Sequence, residues 1–336
     1  MARQTAPRTT ERFWIDVYLD EAGMLGSMAD EVRAGLTSTP MRLSPKYFYD
    51  YAGSVLFERI TGLPEYYPTR AERDLLAEVA DGLMAELRPE QVVELGSGSS
   101  TKTRLLLGAE SAHQYLRTYV PFDVSRGIVE EAAQELLAEF PYLSVHGVIG
   151  DFGQHLDRIP PTTGRRLVLF LGGTIGNFAP AEREAFLCQV AAILGPEDRL
   201  LIGMDLVKDP SIIEAAYNDS QGVTAQFNRN MLRVLNNGVG ADFNPDAFGH
   251  RAFYNRHESR IEMHLVPKVP QIVTLRGLGM SVTISPNESL WTESSYKFTE
   301  ESIVEMLEGA GLRLDRFYTN DDPTRLFGLA LAAPID

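Results

Sequence analysis

Apolar and polar residues alternate through the middle of the chain in a repeated strand and helix rhythm. Stretches with amphipathic helical spacing, at residues 103–107, 128–140 and 181–194, separate short apolar runs. The apolar runs are QVVELG, TYVPFD, LSVHGVIGDF, RRLVLFLGGT and RLLIGMDL. This alternation predicts βαβ units built around a buried parallel sheet. Residues 298–331 add one helical stretch, FTEESIVEMLEGAG, and two strand-like runs, which predict a final antiparallel hairpin.

Two other regions lack this rhythm. An aromatic-rich stretch, SPKYFYDYAGSVLFERITGLPEYYPTRAE, covers residues 44–72, and residues 207–297 combine two helical stretches with several short strand-like runs. We interpret both as parts of a second, inserted domain. The predicted division is therefore a core of residues 69–207 and 298–336 and a second domain of residues 13–68 and 208–297.

Composition narrows the classes of protein to consider. The 336 residues include 31 Lys and Arg against 46 Asp and Glu, a net charge of −15, so a nucleic-acid partner is not expected. The single cysteine, Cys188, excludes an intramolecular disulfide and a multi-cysteine zinc site. It lies in an apolar helical pattern, which predicts a small core residue. The start, MARQTAPRTTERFW, has no apolar run, so we expect neither a secretory signal nor a membrane partner, and a cytoplasmic location.

Three successive predicted strands end in residues suited to a nucleotide-like ligand. The first, VVELGSGSS, leads into a helix predicted to begin near Thr101, and Gly96 and Gly98 allow a tight turn and close approach to a ligand. Asp123 ends the second strand, where it can accept bonds from ribose hydroxyls, while Asp151 and Phe152 offer adenine a polar contact and an apolar face. Together these features favour an adenosyl cofactor over an ordinary turn.

Two cofactors fit these strand ends. NAD needs a pyrophosphate cradle, whereas S-adenosylmethionine needs room for a sulfonium and an amino-acid tail, and Thr101 stands where a dinucleotide site places a third glycine. The C-terminal order of helix, strand and strand is typical of a methyltransferase sheet. The pattern therefore favours S-adenosylmethionine.

Several motifs resemble, in order and spacing, the histidine-specific Nα-methyltransferases of ergothioneine biosynthesis. The motifs are PKYFYDYAGSVLFERITGLPEYYPTRAE, ELGSGSSTKTRLLL, PFDVS, LGGTIGNF and WTESSYKF. The resemblance implies an α/β fold, a class I S-adenosylmethionine-dependent methyltransferase with a Rossmann-like sheet and an inserted second α/β domain. It also implies S-adenosylmethionine as cofactor, no metal, and trimethylation of the α-amino group of L-histidine to hercynine.

The same resemblance implies roles for individual positions. The cofactor positions are Tyr49, Phe57, Gly96, Lys102, Asp123, Asp151 and Phe152. The substrate positions are Tyr66, Asn177, Tyr217, Glu293 and Ser295, with Gly172, Thr174, Thr224 and Met263 as secondary pocket positions. Tyr49 and Tyr66 are also the catalytic candidates, because aromatic faces can favour positive charge on sulfur and on the growing ammonium.

The hydrogen-bonding groups at several of these positions suit the substrate roles that the resemblance implies. Glu293 and Ser295 lie two residues apart, so on an extended segment they share a face and can serve the two nitrogens of an imidazole. Asn177 and Tyr217 can donate to a carboxylate. Each position also has an ordinary structural reading: Asn177 as a helix cap before Ala181, Tyr217 as a surface tyrosine, and Glu293 with Ser295 as a solvated turn.

The leading hypothesis is trimethylation of L-histidine by a monomer. The alternatives are the same methyl transfer to another aromatic amino acid, a non-catalytic sensor of the cofactor, and an NAD-dependent oxidoreductase. Three histidines, His146, His155 and His264, lack metal-ligand spacing and receive no role.

Overall fold

The computed structural model describes residues 12–19, 21–320 and 325–335, with side chains left out at residues 21–25 and 27. The chain folds into two compact units, each assembled from segments that are distant in sequence. The first unit comprises Met1–Asp20, Ala71–Leu206 and Phe298–Asp336, and the second comprises Glu21–Arg70 and Val207–Lys297. In the described residues no helix is both long and apolar enough to cross a membrane.

The helices and strands of the described residues follow one another in this order: β1 (Phe13–Val17), α1 (Glu21–Thr37), α2 (Tyr51–Thr61), α3 (Pro68–Leu87), β2 (Gln91–Leu95), α4 (Arg104–Leu107), α5 (Ala112–Tyr115), β3 (Thr118–Asp123), α6 (Arg126–Glu139), β4 (Ser144–Ile149), α7 (Phe152–His155), β5 (Arg166–Phe170), α8 (Pro180–Ala192), β6 (Arg199–Asp205), α9 (Pro210–Tyr217), α10 (Val223–Val239), β7 (Phe248–Asn255), β8 (Arg260–Pro267), β9 (Gln271–Leu275), β10 (Met280–Ile284), β11 (Leu290–Tyr296), α11 (Glu300–Gly309), β12 (Leu312–Thr319) and β13 (Phe327–Pro334). Short 3₁₀ helices cover Pro45–Phe48, Leu156–Arg158, Thr174–Asn177, Pro245–Ala247 and Arg276–Leu278.

The first unit is built on an eight-stranded sheet in the order β1-β4-β3-β2-β5-β6-β13-β12. The strands from β1 to β6 pair in parallel, whereas β13 pairs antiparallel with both β6 and β12. Every residue of β2 and β5 is buried, as expected for parallel strands with both faces covered. The predicted parallel strands and the antiparallel C-terminal hairpin are confirmed.

The N-terminal strand belongs to this sheet. Residues 13–17 form β1, which pairs in parallel with β4 in a register that joins Phe13 to Val145 and Val17 to Ile149. The second domain was predicted to begin at residue 13, but residues 13–17 pair within the sheet of the first unit. Because β1 is separated from β4 by more than a hundred residues of sequence, no local pattern could show this pairing.

The second unit contains helices α1, α2, α9 and α10 together with two antiparallel sheets. One sheet has the order β11-β8-β7, and the other is the pair β10-β9. Its core includes Phe48 and Phe227, whose rings stack with centroids 4.5 Å apart. The start of α2 is fixed by Asp50, whose side chain accepts from the Gly53 N–H at 2.7 Å.

Candidate active site

The loop after β2 turns through two glycines with left-handed backbone. Gly96 has φ +73° and Gly98 has φ +48°, values that side-chain-bearing residues adopt only with strain. A Cβ at Gly98 would meet nothing within 4 Å, so the glycine leaves open space beside the loop. The following helix, α4, begins at Arg104, and residues 101–103 form a turn. The predicted helix start near Thr101 was therefore three residues early.

Asp123, the last residue of β3, holds this loop in place. Its carboxylate accepts from the Gly98 N–H at 3.0 Å and from the Ser125 N–H at 2.9 Å. Burial raises the pKa of Asp123, and these backbone donors oppose the rise. Each carboxylate oxygen has two lone pairs, so Asp123 keeps acceptor capacity for ligand hydroxyls.

Asp151 and Phe152 follow β4 and begin α7. Asp151 is the helix N-cap, accepting from the Gly153 N–H at 2.8 Å, so this side chain also has a structural task. The half-buried ring of Phe152 lies beside the glycine loop, because a Cβ on Gly96 would stand 3.4 Å from it. It packs against Phe122 with ring centroids 5.5 Å apart. The structure thus brings Gly96, Asp123 and Phe152 together where β2, β3 and β4 end.

A buried carboxylate that was not among the predicted site residues joins two loops of the first unit. Glu72, on α3, is fully buried and pairs with the ammonium of Lys102. Its other oxygen accepts from the Gly172 N–H at 2.7 Å. Any side chain at Gly203 on β6 would clash with the Glu72 carboxylate. Position 72 stands inside the PTRAE run, which was the only sequence signal available for it.

A second buried carboxylate lies at the foot of the glycine loop. Glu94 on β2 is 4% exposed and accepts from the hydroxyl of Tyr119, which is 2.7 Å from the Ser100 hydroxyl. Burial raises the pKa of Glu94 to about 7, while bonds from Thr103 and Tyr119 and the charge of Lys102 oppose the rise. The sequence analysis did not identify Glu94 as a site residue, because it lies in an apolar run that predicts a buried strand and no ligand contact.

These residues fit an adenosyl group that carries a charged amino-acid tail. The loop offers open space at Gly98, an aromatic ring at Phe152 and carboxylate acceptors at Asp123 and Asp151. Ser97 is buried in the same loop, and its hydroxyl has no hydrogen-bond partner among the described residues. An unpartnered buried hydroxyl is costly, so a ligand that bonds to it would be favoured.

The segment after β5 carries three predicted substrate positions. Gly172 and Gly173 have φ +83° and +67°, which turns the chain sharply. Thr174 donates to the Leu171 carbonyl at 3.1 Å, and Asn177 ends the 3₁₀ helix. Asn177 does not cap α8: the N-cap is Ala179. This removes the ordinary reading of Asn177 as a helix cap.

In the second unit, predicted positions from α2, α9 and the loops around them form an aromatic group. The ring centroids of Tyr49 and Phe57 are 5.4 Å apart, those of Phe57 and Tyr66 6.2 Å, and those of Tyr66 and Tyr217 6.3 Å, all near edge-to-face. Tyr217 is 8% exposed, so the reading of Tyr217 as a surface tyrosine was wrong.

Strand β11 carries the predicted imidazole-binding pair. Glu293 stands opposite Met263 of β8, and Ser295 stands opposite Ile261, so the strand is paired there and is not a solvated turn. Residues opposite each other in an antiparallel pair share a face, which puts Glu293, Ser295 and Met263 on one side of the sheet. Met263 and Ser295 are buried, and Glu293 is half-buried.

The pKa values of Glu293 and Tyr49 differ from their values in water. Burial raises the pKa of Glu293 to about 7, and the nearby charge of Lys297 opposes the rise. The Tyr49 pKa is raised as well, first by desolvation and then by the charges of Glu293 and Tyr217. The Tyr49 side chain keeps 48% of its surface accessible.

The other residues singled out in the sequence include Thr224, two of the histidines without an assigned role, and Cys188. Thr224 is buried on α10, and its N–H donates to Asp219 at 2.7 Å. His146 bonds to Asp16 at 2.9 Å, and His264 contacts Glu262 at 3.1 Å. Among the described residues, no group of three or more His, Cys, Asp or Glu is arranged to hold a metal ion. Cys188 is exposed on α8, so its prediction as a core residue was wrong.

The sheet order and the ligand-suited strand ends define the class of protein. Parallel strands in the order β4-β3-β2-β5-β6, completed by the antiparallel β13 beside β12, are the sheet of a class I methyltransferase. Open α/β sheets bind ligands at the carboxyl ends of their strands, where Gly96, Asp123 and Phe152 lie in the first unit.

The sequence matches the family profile of histidine-specific, SAM-dependent methyltransferases over residues 28–334, and the chain belongs to this family. It is 47% identical over 315 residues to the histidine N-alpha-methyltransferase of Mycolicibacterium smegmatis, covering 94% of this chain and 97% of that protein. It is 32% identical to ergothioneine biosynthesis protein 1 of Neurospora crassa, over 81% of this chain and 31% of that protein. Among solved structures, an S-adenosylmethionine-dependent methyltransferase from Clostridium acetobutylicum matches with a TM-score of 0.48 and 10% identity, over 84% of this chain and 99% of that one.

Proposed function

We propose that this chain transfers methyl groups to the α-amino nitrogen of L-histidine, forming trimethylhistidine (hercynine) as the first step of ergothioneine biosynthesis. S-adenosylmethionine supplies an electrophilic methyl group on its sulfonium. The name and 47% identity of the mycobacterial relative support the histidine and α-nitrogen assignments. The fungal relative named for ergothioneine biosynthesis supports the pathway.

The observation that carries the substrate assignment is the polar face of β11. Glu293 and Ser295 lie on one side of the strand, and both are withdrawn from solvent to different degrees. A carboxylate that accepts from one ring nitrogen and a hydroxyl that serves the other match an imidazole. A hydrocarbon ring would leave these groups without partners, so the face disfavours phenylalanine and similar amino acids.

The other roles in the proposal follow the same chemistry. The core of residues 69–207 and 298–336 binds the cofactor, and the second domain binds the amino acid. In the core, Gly96, Lys102, Asp123, Asp151 and Phe152 bind the cofactor.

In the second domain, Tyr49 and Phe57 add aromatic faces for the cofactor, and Tyr49 and Tyr66 favour the cation that forms on the nitrogen. Of the positions proposed for the substrate carboxylate, Asn177 belongs to the first unit and Tyr217 to the second. Of the secondary substrate positions, Gly172 and Thr174 belong to the first unit, and Thr224 and Met263 belong to the second. After three transfers the nitrogen has no lone pair, so methylation stops.

The direct test incubates purified protein with S-adenosylmethionine and L-histidine and follows products by mass spectrometry. We expect mono-, di- and trimethylated histidine, with the trimethylated form accumulating. Protein that binds S-adenosylhomocysteine but yields no methylated histidine would overturn the proposal. A competition assay in which tryptophan or tyrosine is consumed faster than histidine would favour the alternative amino acid substrate.

A variant tests the residue on which the assignment depends. Removing a hydrogen bond to a charged group costs about 1.5–3 kcal/mol, so Glu293→Ala should raise the KM for histidine about 10- to 100-fold. Affinity for S-adenosylhomocysteine should stay near that of the parent protein. The matched control is Glu258→Ala, at an exposed glutamate in the turn between β7 and β8 of the same unit. An unchanged KM in Glu293→Ala would remove this residue from the pocket.

A further inference from the structure

A lysine with no role in the proposed function lies directly after β11. Lys297 is 4% exposed, although lysines are rarely buried to this extent. Its backbone is held because its N–H donates to the Ser259 carbonyl at 2.7 Å. Lys297 also lies two residues beyond Ser295, which continues the alternation that put Glu293 and Ser295 on one face.

The ammonium of Lys297 connects two of the proposed substrate-binding hydroxyls. Its Nζ donates to the Ser295 hydroxyl at 2.9 Å and to the Tyr217 hydroxyl at 3.2 Å. The same nitrogen lies 4.9 Å from the centroid of the Tyr217 ring, within the range of a cation–π contact. One buried cation therefore holds a helix residue from α9 and a strand residue from β11.

These contacts determine the direction of further hydrogen bonds. An ammonium has three donors and no acceptor, so Tyr217 and Ser295 must both act as acceptors toward Lys297. Each hydroxyl has a single hydrogen, which must point away from the lysine and can be donated only in another direction. Without the lysine, either hydroxyl could rotate and accept from a ligand instead.

The fixed direction selects a particular ligand chemistry. A donating Tyr217 hydroxyl suits a carboxylate, and a donating Ser295 hydroxyl suits a ring nitrogen that carries a lone pair. Glu293, on the same face, accepts from the ring nitrogen that carries hydrogen. The combination matches an amino acid with a free carboxylate and a neutral imidazole.

We propose that Lys297 is a positioning residue that makes the hydroxyls of Tyr217 and Ser295 obligate donors and thereby sets the preference for histidine. This inference rests on the proposed function. Lys297 acts through the two hydroxyls and is not itself a catalytic residue. Removal of Lys297 should lower affinity most for ligands that have both a carboxylate and a ring nitrogen able to accept hydrogen bonds.

The test compares ligands that differ in these acceptors. Affinities of S-adenosylhomocysteine-loaded protein are measured for L-histidine and for histamine, which keeps the ring and lacks the carboxylate. Lys297→Met should raise the Kd for histidine about 10- to 100-fold. The increase in the Kd for histamine should be about tenfold smaller. The preference for histidine over histamine, measured as the ratio of the two Kd values, should therefore fall. Lys297→Arg keeps a cationic donor and should retain more of the wild-type preference.

A purely structural lysine would weaken both ligands by the same factor and leave their ratio unchanged, which would overturn the inference. The control Lys268→Met, at an exposed lysine just after β8, should leave both affinities unchanged. If Lys297→Met fails to fold, Tyr217→Phe replaces it in the experiment. Loss of the Tyr217 hydroxyl should also lower the preference for histidine over histamine. An unchanged ratio in Tyr217→Phe would also overturn the inference, whereas wild-type protein that binds no histidine would contradict the proposed function instead.

Discussion

The glycine loop of the first unit is organised by its backbone, whereas the polar face of β11 in the second unit presents side chains. In that loop, Asp123 accepts from the Gly98 N–H, and in the segment after β5 the Glu72 carboxylate accepts from the Gly172 N–H. On β11, Glu293 and Ser295 lie among side chains that include Lys297 and Met263.

The difference matches the two kinds of ligand. Backbone N–H groups are present at every residue except proline, so a loop that uses them needs a particular conformation and little side-chain identity. Such a site suits a cofactor that many proteins share. A site made of side chains that fix one another suits a single amino acid, because each polar group left unpaired is costly. Three variants test this comparison.

Glu72→Ala should have the largest effect. Breaking a buried ion pair by removing one partner typically costs about 3–5 kcal/mol. The loss leaves Lys102 without this carboxylate and Gly172 without its acceptor. Thermal melting should show a drop of about 10 °C, with weaker binding of S-adenosylhomocysteine. Glu78→Ala, at an exposed position of the same helix, is the control. Similar melting of the two variants would show that the loops do not depend on Glu72.

Glu94 should give the first unit a specific pH dependence. Its pKa is raised from 4.5 to about 7 in the folded protein. Well below pH 4.5 the carboxyl is protonated in both states. As the pH rises to 7, the unfolded chain loses the proton before the folded protein does. The free energy of unfolding therefore falls by about 3 kcal/mol over this range because of Glu94.

Glu94→Gln cannot titrate and should lack this fall. Urea denaturation of both proteins between pH 4.5 and 8 measures the difference between their stability curves. Parallel curves would mean that Glu94 is ionised throughout in the folded protein. Glu78→Gln should follow the wild-type curve.

Phe57→Leu should have the smallest effect and tests the aromatic group of the second unit. Leucine keeps much of the apolar volume but removes the ring contacts to Tyr49 and Tyr66. Aromatic pairs contribute about 0.5–1.5 kcal/mol beyond their buried area, so melting should fall by only a few degrees. A clear loss of S-adenosylhomocysteine affinity would support Phe57 as a cofactor position. Val55→Ala, exposed on the same helix, should change neither property.

The parallel strands and the glycine loop could be predicted from sequence because their signals are local. Apolar runs that are buried on both faces differ from amphipathic helices, and a Gly-x-Gly after a strand marks a backbone turn. The positions ascribed to the pocket came from family resemblance. For Asn177 and Tyr217, the structural readings considered from local pattern alone were a cap and a surface residue, and neither describes the structure.

Other features could not be read from the chain because they arise between residues that are distant in sequence. Strand β1 pairs with β4, Glu72 with Lys102 and Gly172, and Lys297 with Tyr217. Whether a Glu or a Lys faces solvent or a buried partner depends on the tertiary contacts around it. The amino-acid sequence by itself determined the alternation of strands and helices from β2 to β6 and the positions where glycine permits a left-handed turn. Only the tertiary structure determined which carboxylates are buried and which direction each hydroxyl donates, because burial and hydrogen-bond polarity belong to assembled neighbours and not to single residues.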